Sequence, residues 1–282
     1  MSANAPAPFL EQLWASLDGL RCVVVVGLPG TGKSLLVREL AAAAREASRK
    51  STLLQWDVCR ESWEGHPRTR SRYPEVDGVT HEGVRVAMGS WVRGAVAAWF
   101  AAHAGDEALL IVEAPHIGGR FSELAHAVDD EAEPHLSAPE TAFVVVAPEK
   151  DLQLALKQQR AADMEDRPRA GGYEQNNASP DLLDELTRSL RGPAHELGIE
   201  AGDEQGYDPD LYAGLMRRVL RHRHTTVVRP DALIQVSGSV YDLAEDSERL
   251  WADEQEVEAS LGVADAMDET ELRNRVENWF RT

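Results

Sequence analysis

The chain has 282 residues, of which 43% are hydrophobic, and this is enough for one large α/β domain with a buried core. Its 48 acidic residues outnumber its 29 basic ones, and the net charge of -19 repels polyanions, so nucleic acid is disfavoured as a partner. No apolar run approaches the ~18 residues of a membrane span, so we expect no membrane partner.

Cysteine usage and the first residues bear on the compartment. Cys22 and Cys59 are the only cysteines, which is too few for a disulfide framework. Residues 1–8 lack the basic start and apolar centre of a secretory signal. We therefore expect a cytoplasmic protein with reduced thiols. Apolar residues at helical spacing predict a short amphipathic helix over residues 9–17.

The most specific motif is the octet GLPGTGKS at residues 27–34, a complete G-x-x-x-x-G-K-[ST] pattern. It follows the apolar run Cys22–Val26, which predicts a strand, and precedes a helical pattern over residues 33–47. Strand, loop and helix in this order predict a phosphate-binding loop that holds ATP and Mg²⁺. The alternative is a glycine-rich turn in an ordinary βαβ unit.

Each part of the octet has an expected role. Main-chain amides around the glycines donate to phosphate oxygens beside the positive end of the helix dipole. Lys33 reaches the β- and γ-phosphates, and the Ser34 hydroxyl binds Mg²⁺. The nucleotide-binding residues predicted in this way are Gly27, Pro29, Gly30, Thr31, Gly32, Lys33, Ser34 and Leu35.

A second candidate site follows the next predicted strand, residues 52–56. Asp57 comes directly after it, and ligands of open α/β sheets bind at the carboxyl ends of the strands. Asp57 either caps the next segment or accepts the proton of a substrate hydroxyl. In the second interpretation Arg60, one turn further on, holds an anionic part of the substrate or the transferring phosphoryl group.

The octet, followed about two dozen residues later by a strand and Asp57-x-x-Arg60, resembles the P-loop phosphotransferases of the adenylylsulfate kinase, polynucleotide kinase, chloramphenicol phosphotransferase and zeta-toxin type. The resemblance covers roughly residues 20–240 in the order of elements. It implies that Asp57 acts as a base or positions the acceptor, and that Arg60 contacts substrate.

Residues 61–78 are polar and rich in arginine, which predicts a surface insertion that is mostly a solvated loop. Residues 80–102 show helical periodicity. His81 and Arg85, near the start of this helix, either face the acceptor pocket or have a surface or capping role.

A third apolar strand, residues 108–112, ends at Glu113. P-loop proteins place at this point a carboxylate that orients Mg²⁺ through water. The segment resembles the strand-Glu-Gly of zeta-toxin-like kinases, with Ala114 in place of glycine. We expect Glu113 to act on the metal or the acceptor, or else only to hydrogen-bond. Residues 118–120 predict a flexible turn before a helix over residues 121–128.

The second half of the chain predicts a lid and the rest of the sheet. A fourth strand spans residues 141–147, and a helix over 151–160 leads into a polar segment. This order resembles the lid of small-molecule kinases, about residues 158–180, in which Arg160 and Arg167 would stabilise the phosphoryl oxygens. The alternative is an ordinary charged loop. Residues 232–236 predict a fifth strand, and residues 225–228 form a short strand or the approach to it.

The acidic end of the chain, residues 244–282, predicts two amphipathic helices, of which one contains Leu250 and Trp251 and the other is capped by Asp268. These helices pack on the core or form a dimer contact. The fold predicted as a whole is a three-layer α/β sandwich with a parallel five-stranded sheet in the order 2-3-1-4-5, an Arg-bearing lid and this helical extension, with residues 1–243 forming the kinase domain.

The predicted function is ATP-dependent transfer of the γ-phosphoryl group to a hydroxyl of a small polar molecule such as a nucleoside, a sugar derivative or an antibiotic. Two alternatives remain. One is a kinase that acts on an RNA or DNA end, which the motif order permits and the net charge disfavours. The other is a P-loop ATPase or nucleotide switch without an acceptor.

Overall fold

The computed structural model describes residues 18–76, 78–166, 180–200, 202, 206–230 and 247–282, apart from the side chains of 159–166 and 180–182. Four predictions lie outside these residues. They are the helix over 9–17, most of the lid with Arg167, the side chain of Arg160, and the fifth strand over 232–236.

The described residues form one all-parallel sheet of six strands in the order β5-β4-β1-β3-β2-β6. The strands are β1 (Cys22–Val26), β2 (Ser51–Gln55), β3 (Leu109–Ala114), β4 (Thr141–Val146), β5 (Thr225–Val228) and β6 (Ser247–Arg249). The central strands are buried apolar runs, as parallel strands covered on both faces require.

The predicted strand count and order are corrected here, because a sixth strand extends the sheet beyond β2. β6 is the tripeptide Ser-Glu-Arg, and Ser247 lies opposite Ser51. The fifth strand is Thr225–Val228, which confirms the short-strand alternative for these residues. Both are short edge strands with exposed positions, so neither carries the apolar run by which strands are recognised.

Helices lie on both faces of the sheet, which is compatible with the predicted three-layer sandwich. In chain order they are α1 (Lys33–Glu46), α2 (Trp56–Cys59), α3 (Glu61–Glu64), α4 (Pro67–Arg72), α5 (Glu82–Ala102), α6 (Glu133–Leu136), α7 (Lys150–Asp166), α8 (Pro180–Ser189), α9 (Arg191–Glu196), α10 (Pro209–Val219), α11 (Glu254–Asp265) and α12 (Glu269–Glu277). Among the helices in the part of the chain that the structure describes, none is long and apolar enough to cross a membrane.

Successive side chains of β1 point to opposite faces of the sheet, and each face has its own hydrophobic core. Val23 and Val25 face α1, which buries Leu36, Leu40 and its small residues against the sheet. Cys22, Val24 and Val26 face the opposite core, which contains α5, α10, α11 and α12. The predicted first strand and the helix after it are confirmed, since strong local periodicity specified both.

The arginine-rich segment 61–78 is not the solvated loop that its composition predicts. It contains α3 and α4, and Trp63 is buried where its Nε1 donates to Ser260 Oγ at 2.9 Å. Tyr73 donates to Asp265 at 2.7 Å, and Arg68 pairs with both Glu258 and Asp265. The partners all belong to α11, almost two hundred residues later in the chain, so local sequence could not indicate the packing.

The helices at the acidic end pack on α5. α11 begins after a capping box formed by Asp253 and Glu256, so Leu250 and Trp251 precede this helix instead of belonging to it. Asp268 caps α12, as predicted. The predicted helix over 121–128 is also corrected, because only a 3-10 turn, Ser122–Ala125, forms there after Phe121 adopts a left-handed φ of 60°.

Candidate functional site

The octet forms a tight loop between β1 and α1, at the carboxyl edge of the sheet. Gly30 and Gly32 have φ of 79° and 88°, which side chains rarely tolerate. A Cβ on Gly27 would lie 2.7 Å from Thr31 Oγ1 and 2.8 Å from Lys33 Cγ. The glycines therefore permit the path of the loop and the close passage of the lysine over it.

Lys33 lies along this loop with only 5% of its surface exposed. Its Nζ donates to Leu28 O at 3.0 Å, and the Thr31 hydroxyl donates to the same carbonyl at 2.8 Å. A buried ammonium group held along this loop is well placed to bind an anion there.

The amino end of α1 points into the same loop. The helix begins at Lys33 with Gly32 as its N-cap, and no side chain caps it. The first amides of a helix have no acceptor within the helix, and they form the positive end of its dipole. In this chain, amides of residues 32–35 therefore face the loop.

Glu113 connects the loop to the neighbouring strands. It lies within β3, one residue before its end, and is buried. Ser34 Oγ donates to Glu113 Oε1 at 2.7 Å, and Gln55 Nε2 donates to Oε2 at 2.8 Å. Burial raises the pKa of Glu113, and the nearby Lys33 charge counters this while Asp57 adds to it.

Asp57 occupies the first turn of α2, directly after β2. Parallel registers place Val25 and Gln55 on either side of Glu113, so the ends of the three strands are level with one another. Asp57 is partly exposed, and it is close enough to Glu113 to affect its pKa. The N-cap of α2 is Gln55 and has no side-chain cap hydrogen bond, so the capping alternative for Asp57 is not what the structure shows.

Arg60 and Arg85 meet at Thr80. Arg60 is buried, and its Nη1 donates to Thr80 Oγ1 at 2.8 Å and pairs with Glu64 at 3.2 Å. Arg85 Nε donates to Thr80 O at 2.9 Å, and its Nη1 donates to Gly118 O at 3.1 Å. The structure therefore brings Arg60 and Arg85 together.

His81 has a different role from Arg85. Its Nδ1 accepts from the Gly83 amide at 3.0 Å, and its ring packs on Tyr73. This makes it the N-cap of α5, which is the capping alternative considered from the sequence.

Sequence reasoning missed Arg120, which had been assigned to a flexible turn. It is 9% exposed, and its Nη1 donates to Ile117 O at 3.3 Å. Burial lowers the pKa of Arg120 to about 9, with Arg85 and Arg60 adding to the effect and Asp57 opposing it. In the sequence, Arg120 follows Gly118 and Gly119 shortly after the strand that carries Glu113, and this is only a weak signal of a functional residue. The fold of the turn places Arg120 beside Arg85.

The residues present fit a bound nucleotide and a magnesium ion. The loop supplies amides and a buried ammonium group for phosphate oxygens. Ser34 donates its hydroxyl proton to Glu113, which leaves the oxygen lone pairs for a hard cation. No group of three or more metal-ligating side chains occurs among the residues the structure describes, so a closed all-protein metal cage is not seen there.

No protein-family model, curated protein or solved structure matches the chain.

Proposed function

We propose that this protein is an ATP-dependent kinase that transfers the γ-phosphoryl group to a hydroxyl of a small polar molecule. The single observation that carries the proposal is the arrangement at one edge of the sheet. Lys33 and the amino end of α1 lie in the loop, the Ser34–Glu113 pair lies beside them, and Asp57 follows the adjacent strand.

The charge of each group in the site determines the role that we propose for it. Lys33 and the loop amides bind the phosphates, and Ser34 binds the metal with its hydroxyl oriented by Glu113. ATP supplies the transferred group, and Mg²⁺ neutralises charge on its oxygens. Asp57, partly exposed and next to the loop, accepts the proton of the acceptor hydroxyl or positions that hydroxyl. The roles of Arg160 and Arg167 as lid residues that help to exclude water stay predictions.

Two other functions compete with this proposal. A kinase for RNA or DNA ends would use the same edge, and the net charge of -19 opposes it. An ATPase or nucleotide switch would need the loop but not Asp57. Asp57 is partly exposed beside the loop, where an acceptor hydroxyl can reach it, and this favours a transferase over a nucleotide switch.

The test compares Asp57→Asn with wild type in an ATP-consumption assay. The assay is run over a panel of nucleosides, sugars, aminoglycosides and RNA ends. For a transferase, acceptor-dependent turnover falls by about 10²-fold or more, the usual contribution of a positioned base. Asp129→Asn removes an exposed aspartate and serves as the matched control. Turnover that is unchanged in Asp57→Asn would contradict the proposal and favour an ATPase.

A further inference from the structure

Three guanidinium groups from different parts of the chain lie together, and one of them, Arg60, ends the short helix that carries Asp57. Arg60 follows β2, Arg85 belongs to α5, and Arg120 follows β3. We call these three residues the arginine cluster. All three are buried.

Neutral acceptors connect the members of the cluster. Thr80 accepts from Arg60 through its hydroxyl at 2.8 Å and from Arg85 through its carbonyl at 2.9 Å. A Cβ on Gly118 would stand 3.0 Å from Arg120 Nη1 and 3.4 Å from Arg85 Nη1, so these two guanidinium groups are immediate neighbours. The cluster is therefore a continuous group and not three separate surface charges.

Within the described part of the chain, carboxylates contact two members of the cluster. Glu64 and Glu75 lie 3.2 and 3.7 Å from Arg60, and Glu82 lies 3.4 Å from Arg85. Arg120 has no carboxylate within ion-pair distance among the residues that the structure describes, and its Nη1 donates to Ile117 O within its own turn. Buried charges are ordinarily paired, so a buried Arg120 that contacts no carboxylate of the described residues is suited to binding an anionic ligand.

We infer that the acceptor molecule carries an anionic oxygen group, a phosphate, sulfate or carboxylate, and that the arginine cluster binds this group beside Asp57. Guanidinium groups recognise such oxyanions through charge-assisted, often bidentate hydrogen bonds. The inference rests on the proposed function for the transfer step, and it narrows the acceptor class from any polar molecule to an anionic one. Neutral sugars and aminoglycosides are excluded.

Arg120 is the member on which the inference depends most. Arg60 and Arg85 have ion-pair partners and also hold Thr80 in place, so a purely structural role would account for both. Arg120 is close to Arg85 and is influenced by the charge of Asp57. An anion bound by Arg120 would therefore lie in the same region as the residue proposed to receive the hydroxyl proton.

The experiment measures inorganic phosphate binding by calorimetry to protein that is saturated with magnesium and a non-hydrolysable ATP analogue. Saturation keeps the probe out of the phosphate loop. We expect saturable binding that weakens about tenfold or more in Arg120→Gln, the size expected for loss of a charge-assisted hydrogen bond. Arg217→Gln, which removes an exposed arginine from α10, should bind phosphate as wild type does.

The same titration in Lys33→Ala without nucleotide separates the two proposals. Phosphate binding there that still depends on Arg120 supports the cluster even if the nucleotide proposal fails. If Arg120→Gln does not fold, the same titration uses two other variants. One is Arg85→Gln, which changes a member of the cluster on another element, and the other is Arg120→Lys, which keeps the charge. Absence of saturable binding, or equal binding in wild type and Arg120→Gln, would overturn the inference.

A second arm uses wild-type protein and matched acceptors that differ only by an anionic group, such as glucose and glucose 6-phosphate, or a nucleoside and its monophosphate. ATP consumption should rise only with the anionic member of a pair. Consumption that rises with the neutral members alone would contradict the inference while leaving the kinase proposal intact.

Discussion

Replacing Glu123 with glutamine should stabilise the protein at pH 8. Glu123 lies in the 3-10 turn after β3 and is buried against α5. A Cβ on Gly89 would lie 2.3 Å from its carboxyl carbon, so the carboxyl group lies directly on the helix backbone. Its Oε2 has no hydrogen-bond partner among the residues that the structure describes. A charged carboxylate in this position loses its hydration and gains little in return.

The magnitude follows from the pKa. Burial raises the pKa of Glu123 from 4.5 to about 7, with backbone hydrogen bonding and the charges of Arg275 and Arg93 opposing the shift. At pH 8 both the folded and the unfolded state are ionised, so the folded state is destabilised by about 3 kcal/mol, the free energy of that shift. Below pH 4.5 both states are protonated and the penalty disappears. Stability from this group is therefore lost as the pH rises from 4.5 through about 7.

The assay is urea denaturation of wild type and Glu123→Gln at pH 8 and pH 5. Glutamine has nearly the same shape and no charge, so the free energy of unfolding should rise by about 3 kcal/mol at pH 8 and by less than about 1 kcal/mol at pH 5. Glu131→Gln removes an exposed carboxylate and controls for the change in net charge. A Glu123→Gln protein that is less stable than wild type at pH 8 would refute this reasoning.

Two further predictions concern the loop and acid stability. Gly27→Ala places a methyl group 2.8 Å from Lys33 Cγ, so it should displace the lysine side chain. We expect ATP binding to weaken by about tenfold or more with little change in circular dichroism. Unchanged affinity would show that ATP binding does not depend on the position of Lys33 along the loop. Burial lowers the pKa of His116 to about 3, so its contribution to stability is present above pH 6.5 and is lost as the pH falls toward 3. His116→Asn, which tolerates the φ of 60°, should reduce the loss of stability between pH 7 and pH 4 in urea denaturation, and an equal loss in both proteins would count against a buried neutral histidine.

The loop and its surrounding strands could be predicted because their signals are local. An octet between an apolar run and a helical pattern fixes its own context. The proximity of Asp57 and Glu113 could also be predicted, because the carboxyl ends of parallel strands meet at one edge of the sheet.

Features that depend on distant partners could not be predicted. Arg68 looks like a solvated charge until α11 supplies Glu258 and Asp265. β6 has no apolar residue, and only its pairing with the edge of β2 identifies it as a strand. Arg120 joins the arginine cluster only because the turn over 117–120, with Gly118 and Gly119 at positive φ, folds back onto α5.

The most direct test of the central claim is calorimetric binding of magnesium and a non-hydrolysable ATP analogue to wild type and Lys33→Ala. Lys33 contacts the loop rather than either hydrophobic core, so the variant should keep its fold, as checked by circular dichroism. The proposal predicts saturable binding to wild type, and binding to folded Lys33→Ala that is weaker by about tenfold or more, since a charge-assisted contact to phosphate is lost. Absence of binding to wild type, or equal affinity in the two proteins, would contradict it.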